Sequence, residues 1–148
     1  MSRRLRLSLL AAGVLSFLAI SLLLARYLTT ENVERDGIFS LLRAEARGDA
    51  GAMLAQLDGC AHSPACASTV AADARRLRMP GDLKILATSS GTAYALSSST
   101  AQTRVAWKVP GRLPVVQCVL VRRHGNFLTG LSVTLLALGP PLPGTADC

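Results

Sequence analysis

The 148-residue sequence predicts an α+β fold: an N-terminal transmembrane helix, then three helices packed on a curved antiparallel sheet of about five strands. Three observations lead there. The stretch LSLLAAGVLSFLAISLLLA, from Leu7 to Ala25, is apolar and uncharged. From Thr29 to Met79 apolar residues recur at helical spacing, and after Gly81 their period changes to two. Taken in chain order, the organisation is a basic leader over residues 1–6, a signal anchor over 7–27, a domain over 28–138 and a Pro-rich tail over 139–148.

The leader places Arg3, Arg4 and Arg6 ahead of the apolar run. As a helix, that run spans roughly 29 Å, and the hydrocarbon core of a bilayer is about 30 Å thick. A secretory signal has a shorter apolar region and a small-residue cleavage site, whereas the exit here reads LLLARYLTTE, with no A-x-A. An uncleaved anchor is favoured over a cleaved signal. Positive charge is retained in the cytoplasm, so the N-terminus is expected inside and the remainder outside, a single-pass membrane protein with an extracytoplasmic domain. Tyr27 suits the membrane interface.

Net charge is +7, but Arg3, Arg4, Arg6 and Arg26 belong to the leader and the end of the span. Beyond Tyr27 there are 12 basic and 9 acidic residues, and aromatics make up only 4% of the chain. That balance excludes nucleic acid as a partner, because stacking platforms need aromatics beside the charge. Arginine outnumbers lysine 14 to 2, which reflects coding bias better than a binding surface. The segment after the anchor suffices for one small domain with one core.

The helices follow in order. Val33, Ile38, Leu41, Leu42 and Ala46 share a face, with Thr29 or Thr30 as N-cap and Gly48 as the stop. Asp49 caps a second helix that ends near Asp58. Ser63 and Pro64 read as N-cap and first helical residue of a third, which stops before Pro80-Gly81. Arg75, Arg76 and Arg78 fall at its last turn, where cations offset the helix dipole.

Cys60 and Cys66 sit at the corner between the second and third helices. C-x₅-C is not a thioredoxin-like C-x-x-C, and Cys60, His62 and Cys66 provide three zinc ligands where four are needed. Outside the cytoplasm an even set of four cysteines reads as disulfides, so a Cys60–Cys66 staple is favoured over a metal site or free thiols. Cys118 then pairs with Cys148, or stays free. The ten-residue tail GPPLPGTADC is long enough to bring Cys148 back to Cys118, and Pro140, Pro141 and Pro143 keep it from joining a sheet as a central strand.

Five strands are expected: DLKILAT, TAYALSS, TRVAWKV, PVVQCVLVRR and FLTGLSVTLLAL, separated by SSG, SSTAQ, PGRL and HGN. Val105, Trp107 and Val109 form the dry face of their strand. A turn at His124-Gly125-Asn126 would pair Arg123 with Phe127, and set Val115, Val119 and Val121 against Leu135, Leu131 and Thr129.

The stretch RAEARGDAGAML, with a helix on either side of the Gly-Asp break, followed by TAYAL, TRVAW and the long final hairpin, resembles the nuclear transport factor two-like or cystatin-like cone over residues 30 to 138. The resemblance implies helices covering a curved sheet. Enzymes of that kind use Asp, His or Tyr inside the cone, and no such group is evident here.

Direct motifs agree: the chain has no G-x-S-x-G, Walker loop, G-x-G-x-x-G or H-E-x-x-H. His62 and His124 both fall in expected turns, and Glu31, Glu34, Asp36 and Glu45 read as a solvated helix face. No catalytic, cofactor or metal residue is assigned. Two function classes stand: a non-catalytic binding or assembly module at the membrane, with the lipid bilayer and a protein as partners, and a cone-fold carrier or enzyme whose pocket is built on Tyr94 and Trp107.

Overall fold

A computed structural model describes residues 3–91, 98–126, 130–143 and 146–148. The first helix, α1, runs unbroken from Arg3 to Arg47. The expected N-cap at Thr29 or Thr30 is therefore corrected, and the expected boundary at residue 28 falls inside one helix. No proline interrupts α1, and extending a helix that is already nucleated is easy, whereas starting a new one is not. From Ser8 to Ala25 it is long and apolar enough to cross a membrane, with mean hydropathy 2.4 and none of its side chains buried. From Ile38 onward the same helix forms the core, with Ile38, Leu41, Leu42 and Ala44 at 1% exposure or less.

α1 ends in a glycine cap. Gly48 takes φ +74°, its N–H donates to Glu45 O, and Asp49 N–H donates to Ala44 O. This six-to-one and five-to-two pattern satisfies carbonyls the helix leaves open. Asp49 then starts α2 (Ala50–Gln56), its carboxylate accepting from Ala52 N at 2.9 Å. A single 3₁₀ turn, Cys60–His62, leads to α3 (Pro64–Arg76), which is capped by the Ser63 hydroxyl, with Pro64 in its first turn. The Cys60–Cys66 disulfide spans that corner, Cα atoms 5.3 Å apart.

The sheet has four antiparallel strands among the described residues, in the order β1 (Lys84–Ser90), β2 (Ser98–Lys108), β3 (Val115–Asn126) and β4 (Gly130–Leu138). The count differs from the five expected. Residues 92–97, most of the strand expected at TAYALSS, lie outside the described residues. β2 also starts earlier than expected, because the SSTAQ stretch pairs with β3 from Ser98↔His124 to Gln102↔Leu120. Ala101 and Thr103 share the inward face with Val105 and Trp107, and extending β2 covers the backbone of a long β3.

The final hairpin is also corrected. Arg123 pairs with Val133 and Val121 with Leu135, and β3 continues through His124 to Asn126. This register brings Leu135 and Leu138 beside Val121 and Val119, and all four are buried. Burial of large apolar side chains outweighs the local turn signal at His124-Gly125-Asn126.

Two segments dress the β4 end of the sheet. Asp58 N–H donates to Leu135 O at 2.8 Å where the chain leaves α2. Beyond β4, Gly139 N–H and Leu142 N–H donate to Cys118 O and Val116 O at 2.8 and 2.7 Å, so the tail follows β3 past Pro140 and Pro141. It then turns over the outer face, where Cys148 is bonded to Cys118 and Ala146 O accepts from Arg104 Nε at 3.2 Å.

Candidate functional site

The inner face of the sheet meets α1 through two polar clusters set in an otherwise apolar interface. The first is built on Glu34, which lies within α1. Its carboxylate accepts from Arg123 Nε at 2.7 Å and Nη2 at 2.9 Å, from Thr103 Oγ1 at 2.8 Å and from Ser90 Oγ at 3.2 Å. Three strands thus converge on one carboxylate. Burial alone would favour its neutral form, but the Arg123 guanidinium and the Thr103 and Ser90 hydroxyls outweigh it and hold the Glu34 carboxyl below its ordinary value.

The second cluster lies a few turns further along α1. Trp107 Nε1 donates to Gln117 Oε1 at 2.7 Å. Gln117 Nε2 in turn donates to Glu45 Oε1 at 2.9 Å and to Gly139 O at 3.3 Å. Trp107, Gln117 and Glu45 are all fully buried. Burial pushes the Glu45 carboxyl up to about 7; the Gln117 hydrogen bond opposes that rise and the charge of Asp73, on α3, adds to it. Asp73 is itself raised by burial, with Arg76 partly offsetting the effect. Glu45 Oε2 and Asp73 Oδ2 are buried without a hydrogen-bond partner among the described residues. A carboxyl placed as Glu45 is holds its proton at mildly acidic pH and gives it up near neutrality.

Both carboxylates correct the expected solvated face. The helix face that enters the core is Glu34, Ile38, Leu41, Leu42 and Glu45, while Val33, expected on the stripe, is 48% exposed. The signal was present in the spacing, since positions 34, 38, 41, 42 and 45 share one face at helical period. Gln117 carried a similar signal: it alternates in phase with Val115, Val119 and Val121. Polar residues at inward positions ask for buried partners.

The other expected residues are placed as follows. Trp107 is fully buried and its ring N–H is engaged, so it serves as core. Tyr94 lies outside the described residues. His62 is exposed in the 3₁₀ turn; His124 is exposed within β3 and not in a turn. No group of three or more His, Cys, Asp or Glu side chains is placed to hold a metal among the described residues. A shallow depression of about 420 Å³ lies elsewhere, between Ser89, Gln102, Arg104, Asp147 and Cys148. It is open to solvent and spans the outer face of β1 and β2 beneath the tail. Compared with known proteins, the chain matches no family model, no curated protein and no solved structure.

Proposed function

We propose that this protein is a single-pass, membrane-anchored module whose domain lies outside the cytoplasm and works by binding or assembly, without catalysis. The observation that carries the reading is α1: one helix whose first half is apolar and unburied, and whose second half is the core of the domain. Exposed apolar surface on that scale needs a lipid or protein cover. Arg3, Arg4 and Arg6 orient the helix with its N-terminus in the cytoplasm. The Cys60–Cys66 and Cys118–Cys148 bonds suit an oxidising compartment on the far side. Kinship with the nuclear transport factor two-like and cystatin-like cones belongs to the same proposal, supported by α1 lying on one face of a four-stranded antiparallel sheet.

The buried clusters act in this reading as fasteners between anchor helix and sheet. A pocket at Trp107 is the weaker reading, because its indole is enclosed and hydrogen-bonded to Gln117. Cell fractionation with intact-mass measurement of the mature chain tests the proposal. The full-length chain is expected in the membrane fraction, and a soluble product starting near residue 28 would overturn it.

A further inference from the structure

The direction of β3 relative to α1 places one end of the sheet close to the plane where α1 would leave the bilayer. Two tie points define that direction. Gln117 is hydrogen-bonded to Glu45, and Arg123 to Glu34. Between Gln117 and Arg123 the strand advances about 20 Å, while from Glu45 back to Glu34 the helix retreats about 16 Å. β3 therefore runs antiparallel to α1, back toward the apolar half of the helix.

The distances then fix how far it reaches. From Ala25, the last residue of the apolar window, to Glu34 the helix rises about 14 Å. From Arg123, level with Glu34, β3 descends about 10 Å more to Asn126. Allowing for strand tilt, its end stands about 4–6 Å above the edge of the apolar run. The polar headgroup layer on each side of a bilayer is about 5–8 Å deep. His124, which is exposed, lies on this last stretch, and Arg122, also exposed, lies just above it. The long basic side chain of Arg122 extends toward phosphates while its stem lies along the surface.

We propose that the Asn126 end of β3 rests in the phospholipid headgroup layer of the membrane that α1 crosses, as a second point of membrane contact. The inference rests on the anchored reading given above. It assigns the Glu34–Arg123 ion pair a further role. By tying β3 to the helix just above the membrane, the pair sets the height and tilt at which the domain sits. The partner is a lipid surface, recognised by position, with the positive charge of Arg122 just above it.

Tryptophan probes in the full-length chain, reconstituted into phosphatidylcholine vesicles with and without phosphatidylserine, test this. Buried Trp107 of the unsubstituted protein supplies the baseline. Asn126→Trp should add emission that lipids brominated near the headgroup quench, and phosphatidylserine should deepen that quenching. Leu113→Trp, at an 86% exposed position beyond the opposite end of β3, should add emission that they leave intact. Leu15→Trp, in the apolar half of α1, should be quenched by deeply brominated lipids. If Leu15→Trp is quenched while Asn126→Trp behaves like Leu113→Trp, the domain stands clear of the membrane and the inference fails, with the anchor intact. If Leu15→Trp is not quenched either, the anchored reading itself fails. Should Asn126→Trp not fold, a spin label on Asn126→Cys, read by its accessibility to a water-soluble relaxation agent in the same vesicles, makes the same measurement, and accessibility equal to that of Leu113→Cys overturns the proposal.

Discussion

Replacing Glu45 by Gln should stabilise the protein at alkaline pH and change it little at mildly acidic pH. Glu45 is fully buried, and its carboxyl is raised from 4.5 to about 7 by burial and by the nearby charge of Asp73. At about 1.4 kcal/mol per pH unit, ionising it in the folded state costs ~3 kcal/mol more than in the unfolded chain. The folded protein binds more protons than the unfolded chain between pH 4.5 and 7, so stability falls as pH rises across that window. Below it Glu45 is protonated in both states and the contribution is complete; above about 7 it is gone. The Glu45→Gln side chain would keep an amide oxygen for Gln117 Nε2 and carry no charge. Urea unfolding of the full chain in detergent micelles, followed by Trp107 emission, measures the effect. The wild type should lose ~3 kcal/mol between about pH 5 and 8, and Glu45→Gln should lose much less, the remainder belonging to Asp73, which titrates in the same direction. Parallel pH profiles for the two proteins would refute the reasoning. Glu34 has the opposite sign: its carboxyl is held low, so its support is present above the ordinary value and fades as pH falls through the lowered one.

Trp107→Ala should cost about 3–5 kcal/mol in denaturant melts followed by circular dichroism, and a change within noise would show that the indole is not core. Cys148→Ser should leave Cys118 free, release the tail and lower stability by roughly 3–4 kcal/mol on the loop-closure account. Non-reducing peptide mapping of the wild type should give Cys60–Cys66 and Cys118–Cys148, and a Cys60–Cys118 or Cys60–Cys148 linkage would contradict it. Gly48→Ala should destabilise more than Gly59→Ala in thermal melts. Both glycines have φ above +70°, but a Cβ at Gly48 would lie 3.2 Å from Ala74 O and 3.1 Å from Arg78 Cδ, whereas one at Gly59 meets nothing within 4 Å. The left-handed backbone alone costs roughly 1–2 kcal/mol for a residue with a side chain, so equal losses would mean that the contact between α1 and α3 at Gly48 is loose.

Features that depend on neighbours in the chain were legible in the sequence. Asp49 and Ser63 bond amides three residues onward, and Gly48 supplies a conformation that other residues resist. Cys60 and Cys66 lie either side of a corner that those caps define. The apolar run from Leu7 to Ala25 announces its length and character by composition alone, and the change to period two after Gly81 marks where helices give way to strands. What depends on distant partners was not legible. Thr29 and Thr30 have the side chains of helix caps, yet no residue between Ala25 and Arg47 forces a stop, and α1 is continuous. The hairpin register was set by Leu135 and Leu138 reaching Val121 and Val119, against a turn signal that is strong only locally. Glu34 and Glu45 have the sequence look of surface residues. They enter the interior because Arg123, Thr103 and Ser90 reach the first and Gln117 the second from strands far along the chain. A buried carboxylate is tolerated only where such partners meet it, and that meeting is created by packing the sheet against α1.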